Sequence, residues 1–268
     1  MKKIFKIFFI VLLLIILIYI FTNFILTKFL NKYNFEKDNV QFAQNLQNSP
    51  FSISKIIIYS SGYGKNKNTN FQKTNWVLDI FQYSDIAIYI SPSTDELDAS
   101  NTVKKLSLEN INFSSPTIGS PFIYYLDSLN FGTATIDENH KIDNSIEFTV
   151  LNDENKNNEI QSNTPVFFTD CSNPITLKYV NKKVKENFVV NSNEPLFFNG
   201  QLLKMANINL KNLGTTINFN INIQSNDNKN YFYKLSLPLP LENNNSSIYD
   251  GSILVKNEYL NYRFIEEF

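Results

Sequence analysis

The sequence predicts a mainly β protein: an N-terminal transmembrane helix with a helical stalk, then an antiparallel, β-sandwich-like extracytoplasmic region. Three observations carry this expectation. Residues 4–26 are apolar almost throughout, the hydrophobic pattern changes to period two after residue 51, and short strand signals then alternate with polar turns.

The apolar stretch comes first in the chain. Its 23 residues contain one charge, Lys6, near the start. A helix of that length covers about 34 Å, enough for a hydrocarbon core of about 30 Å with some tilt. Backbone in lipid must satisfy its own hydrogen bonds, so a single span is a helix. A cleaved secretory signal has an apolar region of about 7–15 residues followed by a small-residue site. Here the apolar run is longer, and the first alanine after it is Ala43. Residues 1–30 are therefore expected to be an uncleaved signal-anchor, with the lipid bilayer as partner of residues 4–26. Lys2, Lys3 and Lys6 lie before the uncharged run that starts at Ile7, and Lys28, Lys32 and Lys37 lie after the span, so charge favours an inside N-terminus only slightly. The likeness of the first 20 residues to an export signal places the N-terminus in the cytoplasm and the remaining chain outside. Phe29, Tyr33, Val40 and Ala43 then recur at roughly helical spacing, so residues 31–48 read as a helical stalk that ends before Pro50.

Composition limits the functions available to the rest. Of 24 basic and 25 acidic residues, residues 1–48 hold six lysines and two acids, leaving the remainder net acidic. That balance argues against nucleic acid as a partner. One cysteine, Cys171, allows no intramolecular disulfide and reads as a buried free thiol. Asn, Lys, Ile, Phe and Tyr, all with AT-rich codons, are plentiful, which indicates a low-GC, bacterial source. The asparagine runs then need no functional explanation.

Residues 55–61 form a β-branched apolar run, followed by an expected polar loop at 62–70. Residues 71–90 carry a long strand signal, buried on both faces near Ile86, Ile88 and Ile90, with a break expected near Ser84. Residues 91–101 read as a loop, or as one helical turn capped by Ser93 or Thr94 with Glu96 nearby. Further strands are expected at 106–113, 122–126, 132–136 and 145–151. Proline followed by three apolar residues recurs at Pro121, Pro165 and Pro195, which suits the first position of a strand. Near the C-terminus three alternating segments, around 206–211, 217–223 and 231–237, predict a three-stranded meander with one wet face. Residues 237–241 are expected to leave the sheet extended, with a last strand at 252–255. Two β domains or halves, 49–160 and 161–268, divide the region at the Asn-rich run 152–158.

Candidate chemistry is sparse. The single histidine, His140, lies in a charged turn, and no G-x-S-x-G surrounds a serine. One Cys and one His cannot build a structural zinc site. Asp137, Asn139 and Asp143, with Glu138, put several oxygens on one turn and are the calcium candidates, as are Asp153, Glu154 and Glu159. Neither group has the glycine-containing calcium-loop pattern. Gly62 to Lys65 reads as a tight turn rather than a phosphate loop. Asp79 and Asp85, inside an apolar strand signal, are the catalytic candidates. No cofactor is implied. The expected function is a single-pass, membrane-anchored β protein acting by protein contact through the β region or the stalk, as a scaffold, envelope-assembly or adhesion component. The alternative is a carboxylate-dependent envelope glycan hydrolase using Asp79 and Asp85.

Overall fold

The computed structural model describes residues 49–67, 76–127, 132–152, 164–190, 196–240, 248, 253–256 and 263–267. The expected anchor, the stalk and the oxygen cluster at 153–159 lie outside the described residues. In chain order the strands are β1 (Phe51–Asn66), β2 (Trp76–Pro92), β3 (Val103–Phe113), β4 (Ser120–Tyr125), β5 (Lys141–Ile142) and β6 (Ile146–Leu151). They continue with β7 (Val166–Phe168), β8 (Ile175–Val190), β9 (Thr215–Ser225), β10 (Asn230–Leu239), β11 (Ile253–Lys256) and β12 (Ile265–Glu267). One short helix, α1 (Gln201–Met205), lies between β8 and β9.

Among the described residues, two six-stranded sheets result. Sheet A has the order β11-β1-β2-β8-β4-β5, and sheet B the order β12-β10-β9-β3-β6-β7. Every pairing is antiparallel except β6 with β7. The main core lies between the sheets: Ile56, Ile58, Ile86 and Ile88 of sheet A meet Leu106, Leu108, Ile221 and Ile223 of sheet B. The fold is mainly β, with the layering of a sandwich. Both sheets draw strands from either side of residue 160.

β9 shows most plainly how the sequence selects its element. Ile217, Phe219, Ile221 and Ile223 are buried, while the asparagines between them are half-buried on the outer face. β2 is central to sheet A, so residues 82–88 are buried without interruption. The expected break near Ser84 is absent. Ser84 pairs with Ser60 in an unbroken ladder, and their hydroxyls hydrogen-bond at 2.7 Å. The irregularities fall instead in β8, whose register against β2 shifts on either side of Ile80. Lys183 and Asn187, the positive-φ residues of β8 at 57° and 53°, mark these bulges.

Four further expectations are corrected. Residues 62–66 are not a loop but the end of β1. Their glycines serve close packing: a Cβ at Gly62 would meet Leu203 Cγ at 2.8 Å, and one at Gly64 would meet Leu202 Cδ1 at 2.9 Å. Residues 206–211 form no strand. Asn207 takes a left-handed φ of 57°, and the Asn209 side chain accepts the Lys211 N–H, so these asparagines shape turns rather than a wet face. Sheet B supplies β3 and β12 as the neighbours of the β9–β10 hairpin instead. Residues 132–136 join no ladder. β10 stays paired through Leu239, opposite Thr215, so Leu237 and Pro238 have not yet left the sheet. Of the three prolines, Pro121 is the second residue of β4, Pro165 precedes β7, and Pro195 lies outside the described residues.

Helix α1 caps a second apolar cluster, in which Leu202, Leu203 and Leu213 pack on Leu78, Ile80 and Val184. Between this cluster and the main core, on the same face of sheet A, lies a buried polar seam of Ser60, Gln82, Ser84 and Asn181. The Asn181 amide donates to the Ile118 carbonyl at 2.9 Å. Both polar atoms of the Gln82 amide and the Oδ1 of Asn181 have no hydrogen-bond partner.

Candidate functional site

The outer face of sheet A carries a second polar element. Antiparallel register sets Tyr59, Asp85, Lys178 and Tyr124 in one row across β1, β2, β8 and β4. Side chains opposite one another share a face, so Asp85 and Lys178 meet. They form an ion pair, 0% and 1% exposed. The Lys178 Nζ also donates to the Thr133 carbonyl at 2.8 Å and sits 4.7 Å from the centre of the Tyr83 ring. Asp85 Oδ2 accepts the Gly132 N–H at 2.9 Å, and the Tyr83 hydroxyl donates to the Gly132 carbonyl at 3.1 Å.

Burial raises the Asp85 carboxyl above its ordinary range, offset in part by Lys178 and the Gly132 amide. Burial likewise depresses the Lys178 ammonium, against the attraction of Asp85. A buried pair of this kind gains little net stability, because desolvation costs several kcal/mol per ion. Its structural effect is specific: three side chains clamp the backbone of Gly132 and Thr133 onto the sheet.

From this clamp the chain continues as a strap over the outer face. Ala134 and Ile136 pack on the apolar cluster of Tyr83, Tyr124 and Val180. On one side of the strap a groove of about 790 Å³ opens over Tyr63 and Phe81, with Lys65, Lys182 and Glu186 at its rim. On the other side a smaller hollow of about 220 Å³ lies beside Tyr125 and His140. The groove floor belongs to a chain of rings. Trp76 meets Phe198 at 5.8 Å, Phe198 meets Tyr63 at 5.7 Å, and Tyr63 meets Phe81 at 5.6 Å. Phe81 meets Tyr83 at 6.3 Å, and Tyr83 meets Tyr59 at 6.2 Å. These separations fall within the range for favourable aromatic pairs, about 4.5–7 Å. Phe197, next to Phe198, is 55% exposed.

The two catalytic candidates are not brought together. Asp79 and Asp85 lie six residues apart on one uninterrupted ladder, about 20 Å at about 3.3 Å per residue. Glycosidase carboxyl pairs are separated by about 5–9.5 Å. Asp79 accepts the Asn187 N–H at 3.0 Å and pairs with Lys67 at 2.9 Å. It thereby satisfies an amide that the β8 bulge turns away from the ladder. Partial burial raises its carboxyl, but Lys67 and the Asn187 amide outweigh that and hold it low.

The calcium candidates have local partners. Asp137 caps the turn Glu138–His140 by accepting the Asn139 N–H, and Asp143 faces Lys141 at 3.5 Å. No group of three or more His, Cys, Asp or Glu side chains is placed to hold a metal ion among the described residues. His140 stacks on Tyr125 at 4.2 Å. Lys178 and Gly132 are the site residues that sequence reasoning missed. The available signal was a lysine inside the apolar run 175–180, at the register that faces Asp85. Comparison of the chain with models of known families, with curated proteins and with solved structures finds no match.

Proposed function

We propose that this chain is a single-pass, membrane-anchored protein whose extracytoplasmic β region acts by protein contact, as a scaffold, envelope-assembly or adhesion component. The anchor rests on the apolar run at residues 4–26. No helix among the described residues is long and apolar enough to cross a membrane, and the run itself lies outside them. The observation that carries the contact reading is the open groove of about 790 Å³ with Tyr63 and Phe81 in its floor. Aromatic side chains in an open depression, with charge at the rim, are the composition of interaction surfaces. The hydrolase alternative rests on Asp79 and Asp85, each of which is already engaged in holding backbone.

The test is photocrosslinking of the full-length chain in its own membranes. A photoreactive phenylalanine at Phe81 should yield a discrete crosslinked protein, and one at Asn222 on the outer face of sheet B should not. Equal yields from both positions, or none from Phe81, would refute the reading.

A further inference from the structure

Residues 134–137 have the alternation of a strand, and among the described residues no strand pairs with them. Ala134 and Ile136 are half-buried against the apolar cluster, whereas Thr135 and Asp137 are exposed, so side chains alternate between faces as in extended backbone. Among the described residues, the N–H and C=O groups of Ala134, Thr135 and Ile136 bond to no other protein group. Hollows flank this segment on both sides. It lies over the face of the sheet instead of joining its edge, because Asp85, Lys178 and Tyr83 grip Gly132 and Thr133 from below. A row of unpaired main-chain groups, held in place by a buried clamp, has the form of a strand edge awaiting a partner.

From this geometry we propose that residues 134–136 are a docking strand, to which an extended peptide segment of a partner protein adds by main-chain pairing. The peptide lies in the larger groove, with alternate apolar side chains resting on Tyr63 and Phe81. Main-chain bonds to the strap supply register and the aromatic floor supplies side-chain selectivity, the division of labour in β-strand addition. A glycan could stack on the same rings, but it has no repeating N–H and C=O groups to match those of the strap. The groove, at about 790 Å³, is within the usual size of a ligand site, about 300–1,000 Å³. This proposal rests on the contact reading and names the chemistry of its partner.

The probe is a set of linear ten-residue peptides selected by display against the full-length chain in detergent. They are resynthesised in plain form and with alternate backbone amides N-methylated. Alternate amides of an extended strand point to opposite edges, so bound peptide should slow exchange either at Thr135 or at Ala134 and Ile136. Proline at the protected position, Thr135→Pro or Ala134→Pro, which removes one N–H and keeps the extended backbone, should weaken binding at least tenfold at an unchanged melting temperature. N-methylation on the pairing edge should do the same while leaving the protein untouched, so it decides the matter even if the proline variant is unstable. Phe81→Ser should alter which apolar peptides bind. Failure to select any peptide, unchanged exchange at 134–136, or full affinity of N-methylated peptides on both edges would each overturn strand addition. If Phe81 still crosslinks a membrane partner in that event, the contact reading stands and only the docking strand falls.

Discussion

Replacing Lys178 by methionine leaves Asp85 buried without its counterion. Both side chains are almost wholly inside the protein, 1% and 0% exposed, so solvent cannot screen the loss. Removing one partner of such a pair costs about 3–5 kcal/mol. For a domain of this size each kcal/mol moves the melting temperature by about 2–4 °C, so a fall of about 6–20 °C is expected. Trp76, the single tryptophan, sits against Phe198 and the second apolar cluster, and its fluorescence reports unfolding directly.

The deficit carries a pH signature. Burial already raises the Asp85 carboxyl in the intact protein, and without Lys178 nothing offsets that shift except the Gly132 amide. A group whose folded pKa lies above its unfolded value contributes stability that is complete below the unfolded pKa and is lost as pH rises through the folded one. The Lys178→Met variant should therefore approach the parent protein as pH falls from neutral into the carboxylate range. Adding Asp85→Asn to Lys178→Met should recover most of the loss at neutral pH, since no buried charge remains. A single-variant loss under about 1 kcal/mol, or a deficit constant across pH, would refute the assignment of a charged pair.

Five other outcomes follow, four of them from the packing. Gly119→Ala should be severely destabilising, since its Cβ would lie 2.0 Å from the Asn181 Oδ1 at a φ of 96°; a melting temperature within a few degrees of the parent would contradict this. Gly64→Ala should cost about 1–3 kcal/mol by driving a methyl against Leu202, and a double-mutant cycle with Leu202→Ala should show the two changes to be less than additive in urea titrations. Gln82→Met should raise stability by about 1–3 kcal/mol, because it removes a fully buried amide with both polar atoms unpaired; a loss would mean that internal water satisfies that amide. Burial pushes the Cys171 thiol up to about 12, aided by the Asp170 charge, so it should resist maleimide at neutral pH until the protein unfolds. With that thiol silent, Asn228→Cys should label with an impermeant maleimide on intact cells if the β region faces outward.

The strands with one clean alternation were legible in the sequence. β9 reads from its four buried apolar residues, and β2 from a run that only a strand covered on both faces can bury. What could not be read is what depends on neighbours. The lysine at 178 looks like a wet-face residue until register sets it against Asp85. Gly62 and Gly64 look like a turn, because a sequence does not reveal that Leu202 and Leu203, far along the chain, need the space of their missing side chains. The alternation at 206–211 is real, yet Asn207 and Asn209 serve equally well as turn formers, and among the described residues the segment pairs in no ladder. Asp79 was visible as an acid in an apolar run. Its partner, an amide turned outward by a bulge, was not.

The pairing of β1 with β11 bears on how the fold is completed during synthesis. Ile56 lies opposite Lys256, and close by Ser52 bridges to Arg263 while the Phe264 N–H bonds the Phe51 carbonyl. The first strand of the sheet thus waits for a neighbour made two hundred residues later. At elongation rates of about 5–20 residues per second, that delay is about 10–40 s. For that interval the nascent chain offers an open, β-branched edge at residues 56–59 to anything nearby. Late truncations should therefore appear as aggregation of newly made chains well before they register as a loss of function.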